Sequence, residues 1–148
     1  MVQYFTKNGL QKLKEELHYL KTIEQKKITK LIAEAAAFGD LKENAAYHDA
    51  RDKMAFLRMR IKELENAINE AVVKEKSGDD KIEIGSEITI LFGNEKQKYK
   101  IVAPAEADIL KNKISYKSPL GQHLLGKKKG DKFYFGEEKI KVEILEIK

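Results

Sequence analysis

The stretch Ala37-Phe38-Gly39-Asp40-Leu41-Lys42-Glu43-Asn44 interrupts two long heptad patterns, and its reading decides the fold. Before it, Leu10, Leu13, Leu17 and Leu20 recur as the seam of a coiled coil, with Lys and Glu on the flanks. The seam slips at Glu24 and resumes at Ile28, Leu31 and Ala35, as a stutter would make it. Thr6 is placed to cap the start of this helix. After the interruption, Tyr47, Ala50, Met54, Leu57, Ile61, Leu64, Ile68 and Ala71 continue the apolar spacing without a break. Gly39 suits the left-handed residue that ends a helix, and Asp40 suits the cap of the next. A short connection between two long amphipathic helices predicts an antiparallel coiled-coil hairpin. Each arm of roughly 30 residues would reach about 45 Å.

Ser77-Gly78-Asp79-Asp80 should stop the second helix and form a hinge. The texture then changes. Ile82, Ile84, Ile88 and Ile90 suggest strand positions, as do residues 99–102 and 113–116. Ser118-Pro119 opens a short helix, which Gly126 closes. Residues 132–135 and 140–144 form a hairpin around Gly136. The expected organisation is an α+β chain: a helical hairpin over residues 1–77, then a small β-rich domain over 78–148.

Charged residues make up 36% of the 148 residues and hydrophobic residues 42%, a balance that favours solvated helix surface over one large core. There is no cysteine, which excludes disulfides and thiolate metal sites. No run has the length of a membrane span and the first residues do not read as a signal peptide, so a cytoplasmic protein without membrane contact is expected. The net charge of +5 is spread over both halves and permits nucleic acid as a partner without demanding it.

Asp40 and Glu43 stand three residues apart at the hairpin tip. By spacing alone they fit a capping box, each satisfying backbone N–H groups of the helix start. They also fit a weak site for a hard cation. Mg²⁺ takes one or two carboxylates and leaves other positions to substrate or partner. His18, His48 and His123 lack metal-site spacing. Ser118 near His123 reads better as a cap than as a nucleophile.

Ala33-Glu34-Ala35, then Gly39-Asp40-Leu41-Lys42-Glu43-Asn44-Ala45-Ala46-Tyr47-His48, resembles the tip of the Gre transcript cleavage and elongation factors. Ile114-Ser115-Tyr116-Lys117-Ser118-Pro119-Leu120-Gly121, then Leu124-Leu125-Gly126-Lys127-Lys128 and Gly130-Asp131, resembles the C-terminal signature of the same family. The likeness spans the chain and is closer to the GreA type than to the more basic GreB type. It implies an FKBP-like second domain that docks on bacterial RNA polymerase while the hairpin enters the secondary channel. It implies that Asp40 and Glu43 share a Mg²⁺ with the polymerase active site and stimulate cleavage of backtracked RNA at its 3′ end. Such a chain supplies residues in trans, is no nuclease alone, holds no tightly bound cofactor and acts as a monomer. A factor that occupies the channel without cleaving is the alternative.

Gly39, Asn44 and Tyr47 read as structural residues of the tip, Asn44 by satisfying backbone groups there and Tyr47 by beginning the seam, while the resemblance makes Arg51 a contact to RNA. Family members often carry a basic residue where this chain has Ala35-Ala36-Ala37, and many have His where Phe38 stands. Lys42, Arg51 and Lys30 are the substitutes that could grip phosphate.

Overall fold

The computed structural model describes residues 2–148. They divide into two compact units: Gln11–Asn69, and the chain's start up to Leu10 gathered with Glu70–Lys148.

The first unit is the hairpin. Helix α1 (Lys7–Tyr19) runs through a π-helical turn (Leu20–Glu24) into α2 (Gln25–Ala36), and α3 (Ala45–Asn69) returns. The Thr6 hydroxyl accepts from the Gly9 backbone N–H at 3.0 Å, the cap expected at the start of α1. The slip in the seam lies where the π turn lies. Leu20 and Ile28 are eight residues apart, more than two α-helical turns can span on one face. In the π turn the Gln25 N–H donates to the Leu20 carbonyl five residues back, and this wider turn absorbs the surplus. Leu20 therefore still packs with Ile28, Met54 and Leu57. Beyond the turn the seam differs from the expected one. Ile32 packs against this cluster, while Leu31 is exposed. The spacing 28–32–35 replaces 28–31–35.

The α3 seam holds through Ala50, Met54, Leu57 and Leu64, all buried, but it stops before Ala71. Helix α3 ends at Asn69, and Ala71–Val73 is a strand, β2. It pairs in parallel with β1 (Gln3–Phe5), a strand the sequence did not announce. β-branched Val72 and Val73 favour the extended form, and the pairing gives their backbone the partners that a lengthening helix would otherwise supply.

The second unit carries β1 and β2 and a five-stranded mixed sheet of order β5-β4-β3-β7-β6. Its strands are β3 (Glu87–Phe92), β4 (Glu95–Val102), β5 (Lys113–Ser115), β6 (Lys132–Phe135) and β7 (Ile140–Ile147). Within this sheet β4 and β5 are the parallel pair; the β6–β7 hairpin is the expected one. Ile88, Ile90, Ile101, Val142 and Ile144 of the sheet are buried, as is Leu124 of helix α4 (Pro119–Leu124). Ile82 and Ile84 are buried as expected but lie outside the regular strands. The Ser118 hydroxyl caps α4, accepting from the Gly121 N–H at 3.1 Å. Gly121 is required there, because a Cβ would collide with the Ser115 carbonyl.

Candidate functional site

The hairpin tip is built by one asparagine. Helix α2 ends at Ala36, and Gly39 takes the left-handed conformation with φ +81°. Asp40 is also left-handed, at φ 44° and ψ 64°. This conformation disqualifies it as the expected cap, since a capping residue is normally extended. Its side chain makes no capping bond; only its carbonyl is used, accepting from the Glu43 N–H at 3.1 Å. Leu41–Glu43 form a single 3₁₀ turn. Asn44, extended at φ −89° and ψ 95°, is the cap of α3. Its Oδ1 accepts from the Tyr47 N–H at 3.0 Å. Its Nδ2 donates back across the hairpin to the Ala35 carbonyl at 2.6 Å and to the Gly39 carbonyl at 3.3 Å. One side chain thus closes the C-terminus of α2, the loop and the N-terminus of α3.

With Asn44 in that role, the capping box is not formed. The carboxylates of Asp40 and Glu43 are exposed and have no hydrogen bond or ion pair among the described residues. No group of three or more His, Asp or Glu suited to holding a metal occurs among the described residues. The tip therefore offers two unengaged carboxylates and no complete cage, which fits a hard cation whose remaining ligands come from elsewhere.

The basic candidates fall into different situations. Lys30 lies 3.9 Å from Glu34, an exposed pair one helical turn apart. Lys42 follows the loop and has no carboxylate partner among the described residues. Arg51 does not pair with Asp49, which is 3.2 Å from Lys53 instead. Its guanidinium sits 6.0 Å from the centre of the Tyr47 ring, a cation–π contact that steadies the side chain without neutralising it. Tyr47 is half-buried and begins the seam, as its structural reading requires.

His48 is a residue the sequence left idle. Its Nε2 lies 3.1 Å from the Lys42 carbonyl, tying α3 to the turn that carries Glu43. A link across six residues matches no helical or turn spacing, so no sequence signal marks it. Ser118 is no nucleophile: it donates to the Ser115 carbonyl at 2.7 Å while capping α4. His123 stacks on Phe133 at 5.5 Å.

Both halves of the chain match known proteins. Residues 3–73 match the family described as "Transcription elongation factor, N-terminal", and residues 76–148 match "Transcription elongation factor, GreA/GreB, C-term". The transcription elongation factor GreA of Thermoanaerobacter pseudethanolicus is 43% identical, over 97% of this chain and 95% of that protein. GreA of Geobacillus kaustophilus is also 43% identical, over 85% of this chain and 82% of that protein. A solved structure of the transcription factor Gfh1 superposes with a TM-score of 0.51 at 27% identity, covering 99% of this chain and 97% of the other. With both halves matched in order, this chain belongs to the GreA/GreB family of transcription elongation factors.

Proposed function

We propose that this chain acts on bacterial RNA polymerase, entering its secondary channel with the hairpin and stimulating the polymerase's own hydrolysis of backtracked RNA. The observation that carries the reading is the state of Asp40 and Glu43: both carboxylates are exposed and unengaged, because Asn44 has taken over the capping they could have done. A pair used only for stability would be spent on backbone N–H groups.

Asp40 and Glu43 would hold a Mg²⁺ jointly with carboxylates of the polymerase. A cation so placed would supply charge neutralisation at phosphorus and acidify a bound water. The chain's own part is positional. Asn44 fixes where both carboxylates stand, and the His48 contact holds the turn that carries Glu43. Arg51 and Lys42 would meet the RNA phosphates with their charge uncommitted, whereas Lys30 would first have to leave Glu34. With the remaining ligands of the cation supplied by the polymerase, the chain would act in trans rather than as a nuclease of its own.

The test is a halted, backtracked elongation complex with end-labelled RNA in Mg²⁺ buffer. The wild-type protein should shorten the RNA rapidly. Asp40→Ala with Glu43→Ala should bind the complex equally well and cleave about 100-fold more slowly or worse, as losing positioned catalytic groups does. If the wild type binds and the RNA stays intact, the chain is a channel-occupying regulator instead.

A further inference from the structure

Besides its two carboxylates, the hairpin tip carries an aromatic ring that the hairpin does not use. Phe38 is 87% exposed, the most exposed Phe or Tyr among the described residues. Exposed apolar side chains are ordinary when scattered. This one stands on a fixed backbone, two residues before Asp40. Its N–H donates to the Ala35 carbonyl at 3.2 Å, and the Gly39 N–H donates to the Ala36 carbonyl at 3.1 Å. The Nδ2 of Asn44 holds the carbonyls of Ala35 and Gly39, at 2.6 and 3.3 Å, so one amide brackets Phe38 along the chain. The ring itself has no aromatic or cationic neighbour among the described residues. The backbone thus fixes where the side chain starts, while a ring so exposed adds little to the packing of the hairpin.

The neighbours along the chain indicate what the ring meets. Of residues 39–43 only Leu41 is apolar. An anchor for a protein cleft needs a rim of contacts that shuts out water, and Gly39, Asp40, Lys42 and Glu43 are poor material for one. A nucleobase asks for less: its flat face stacks on an aromatic ring, whatever the base. The distances agree. Two residues take the chain from Phe38 to Asp40, so their Cα atoms are at most about 7 Å apart. In a nucleotide the base is one sugar away from the phosphate. A ring beside carboxylates that serve a phosphate is therefore within reach of a base on the same strand.

We infer that Phe38 is a stacking platform for the unpaired base at the extruded 3′ end of the RNA, and that the stack positions the strand at Asp40 and Glu43. This rests on the reading of function above and deepens it by naming a side chain that touches the base rather than the phosphate. Stacking on a phenyl ring tolerates every base, and a purine offers it a larger face than a pyrimidine.

The test uses backtracked elongation complexes whose extruded 3′ nucleotide carries adenine, uracil or no base at all. Cleavage rates are measured at saturating protein for the full-length wild type, Phe38→Ala and Phe38→Tyr. Phe38 is exposed, so both variants should fold normally, which a circular dichroism melt checks. On the adenine end Phe38→Ala should cleave roughly 5- to 150-fold more slowly than wild type, the range that losing one base–aromatic stack gives. The loss should be smaller on uracil. On the abasic end the two proteins should cleave at the same rate, because there is no face left to stack. Phe38→Tyr keeps the ring and should restore the wild-type rate on adenine and uracil. A loss of equal size on all three ends overturns the stack and assigns Phe38 to a protein wall of the channel. Phe38→Ala that matches wild type on every end, or Phe38→Tyr as slow as Phe38→Ala, also overturns it, and the reading of function stands untouched. A wild type that leaves every RNA intact removes that reading, and this inference with it.

Discussion

Acidic side chains at the two ends of the hairpin live in opposite circumstances. Towards the open end, Arg60 holds Glu16 at 2.8 Å and Glu63 at 3.1 Å. At the closed end, Asp40 and Glu43 are held by nothing among the described residues. The same chemistry is consumed internally in one place and left uncommitted in the other. The uncommitted state is not a default of exposure, because exposed Glu34 and Asp49 both find a lysine. At the tip the competing role is removed by Asn44, and the left-handed backbone of Asp40 turns its carboxylate away from capping. The hairpin therefore keeps stability and function in separate residues, and that separation can be attacked from either side.

The largest effect on stability should come from the seam. Leu57 is buried in the cluster with Ile28 and Met54. Leu57→Ala should cost about 2–5 kcal/mol, from lost burial and the cavity left behind. Urea melts followed by circular dichroism would read it as a lowered midpoint. Asp40→Ala with Glu43→Ala should change the midpoint by under about 0.5 kcal/mol. A tip variant as damaging as the seam variant would show that the carboxylates are structural after all.

The next effect is smaller and tests how the two roles meet. Asn44→Ala removes the α3 cap and the ties to Ala35 and Gly39, at a cost of about 1 kcal/mol. It should also lower cleavage severalfold, because the loop carrying Asp40 and Glu43 loses its fixed shape. Asn44→Asp sharpens the point. It keeps an acceptor for the Tyr47 N–H but loses the two donated bonds. Stability should then recover while cleavage stays low. If cleavage recovers with stability, the cross-hairpin bonds do not position the carboxylates.

These contrasts also mark what could be read from residues in order. The hairpin was legible because Leu10 to Leu20 and Ala50 to Leu64 repeat at helical spacing, and repetition is a signal a sequence carries openly. The slip at Glu24 was legible, but its solution was not: a π turn and a supercoil change both explain an eight-residue step from Leu20 to Ile28. Choosing Leu31 over Ile32 followed from that ambiguity. Strand β1 was unreadable, since three residues next to a helix cap carry no period, and its partner β2 looked like the end of α3. At the tip, Asp40 and Glu43 were visible as a pair, and Asn44 as a satisfier of backbone groups. That Asn44 displaces Asp40 as the cap depends on the φ of Asp40, which its side chain does not announce.

The smallest effect belongs to the open end of the hairpin. Burial alone would push the Arg60 guanidinium pKa down, but the hydrogen bond and charge of Glu16, with those of Glu63, hold it above its usual value. A raised pKa stabilises the fold at every pH below the unfolded value, and the contribution is lost only as pH rises through the folded one. For an arginine that lies above any working pH, so titration between neutral and mildly alkaline pH should leave this contribution intact. Its size is nevertheless modest, because Arg60 is 32% and Glu16 40% exposed at the side chain. Arg60→Met, which keeps an apolar stem of similar reach, should cost less than about 1 kcal/mol. The difference from wild type should shrink as salt is raised towards 1 M, where screening acts within about 3 Å. Cleavage should not change. An Arg60→Met protein that melts normally yet cleaves poorly would mean that charge at the open end is felt at the tip, and the separation of roles along the hairpin would fail.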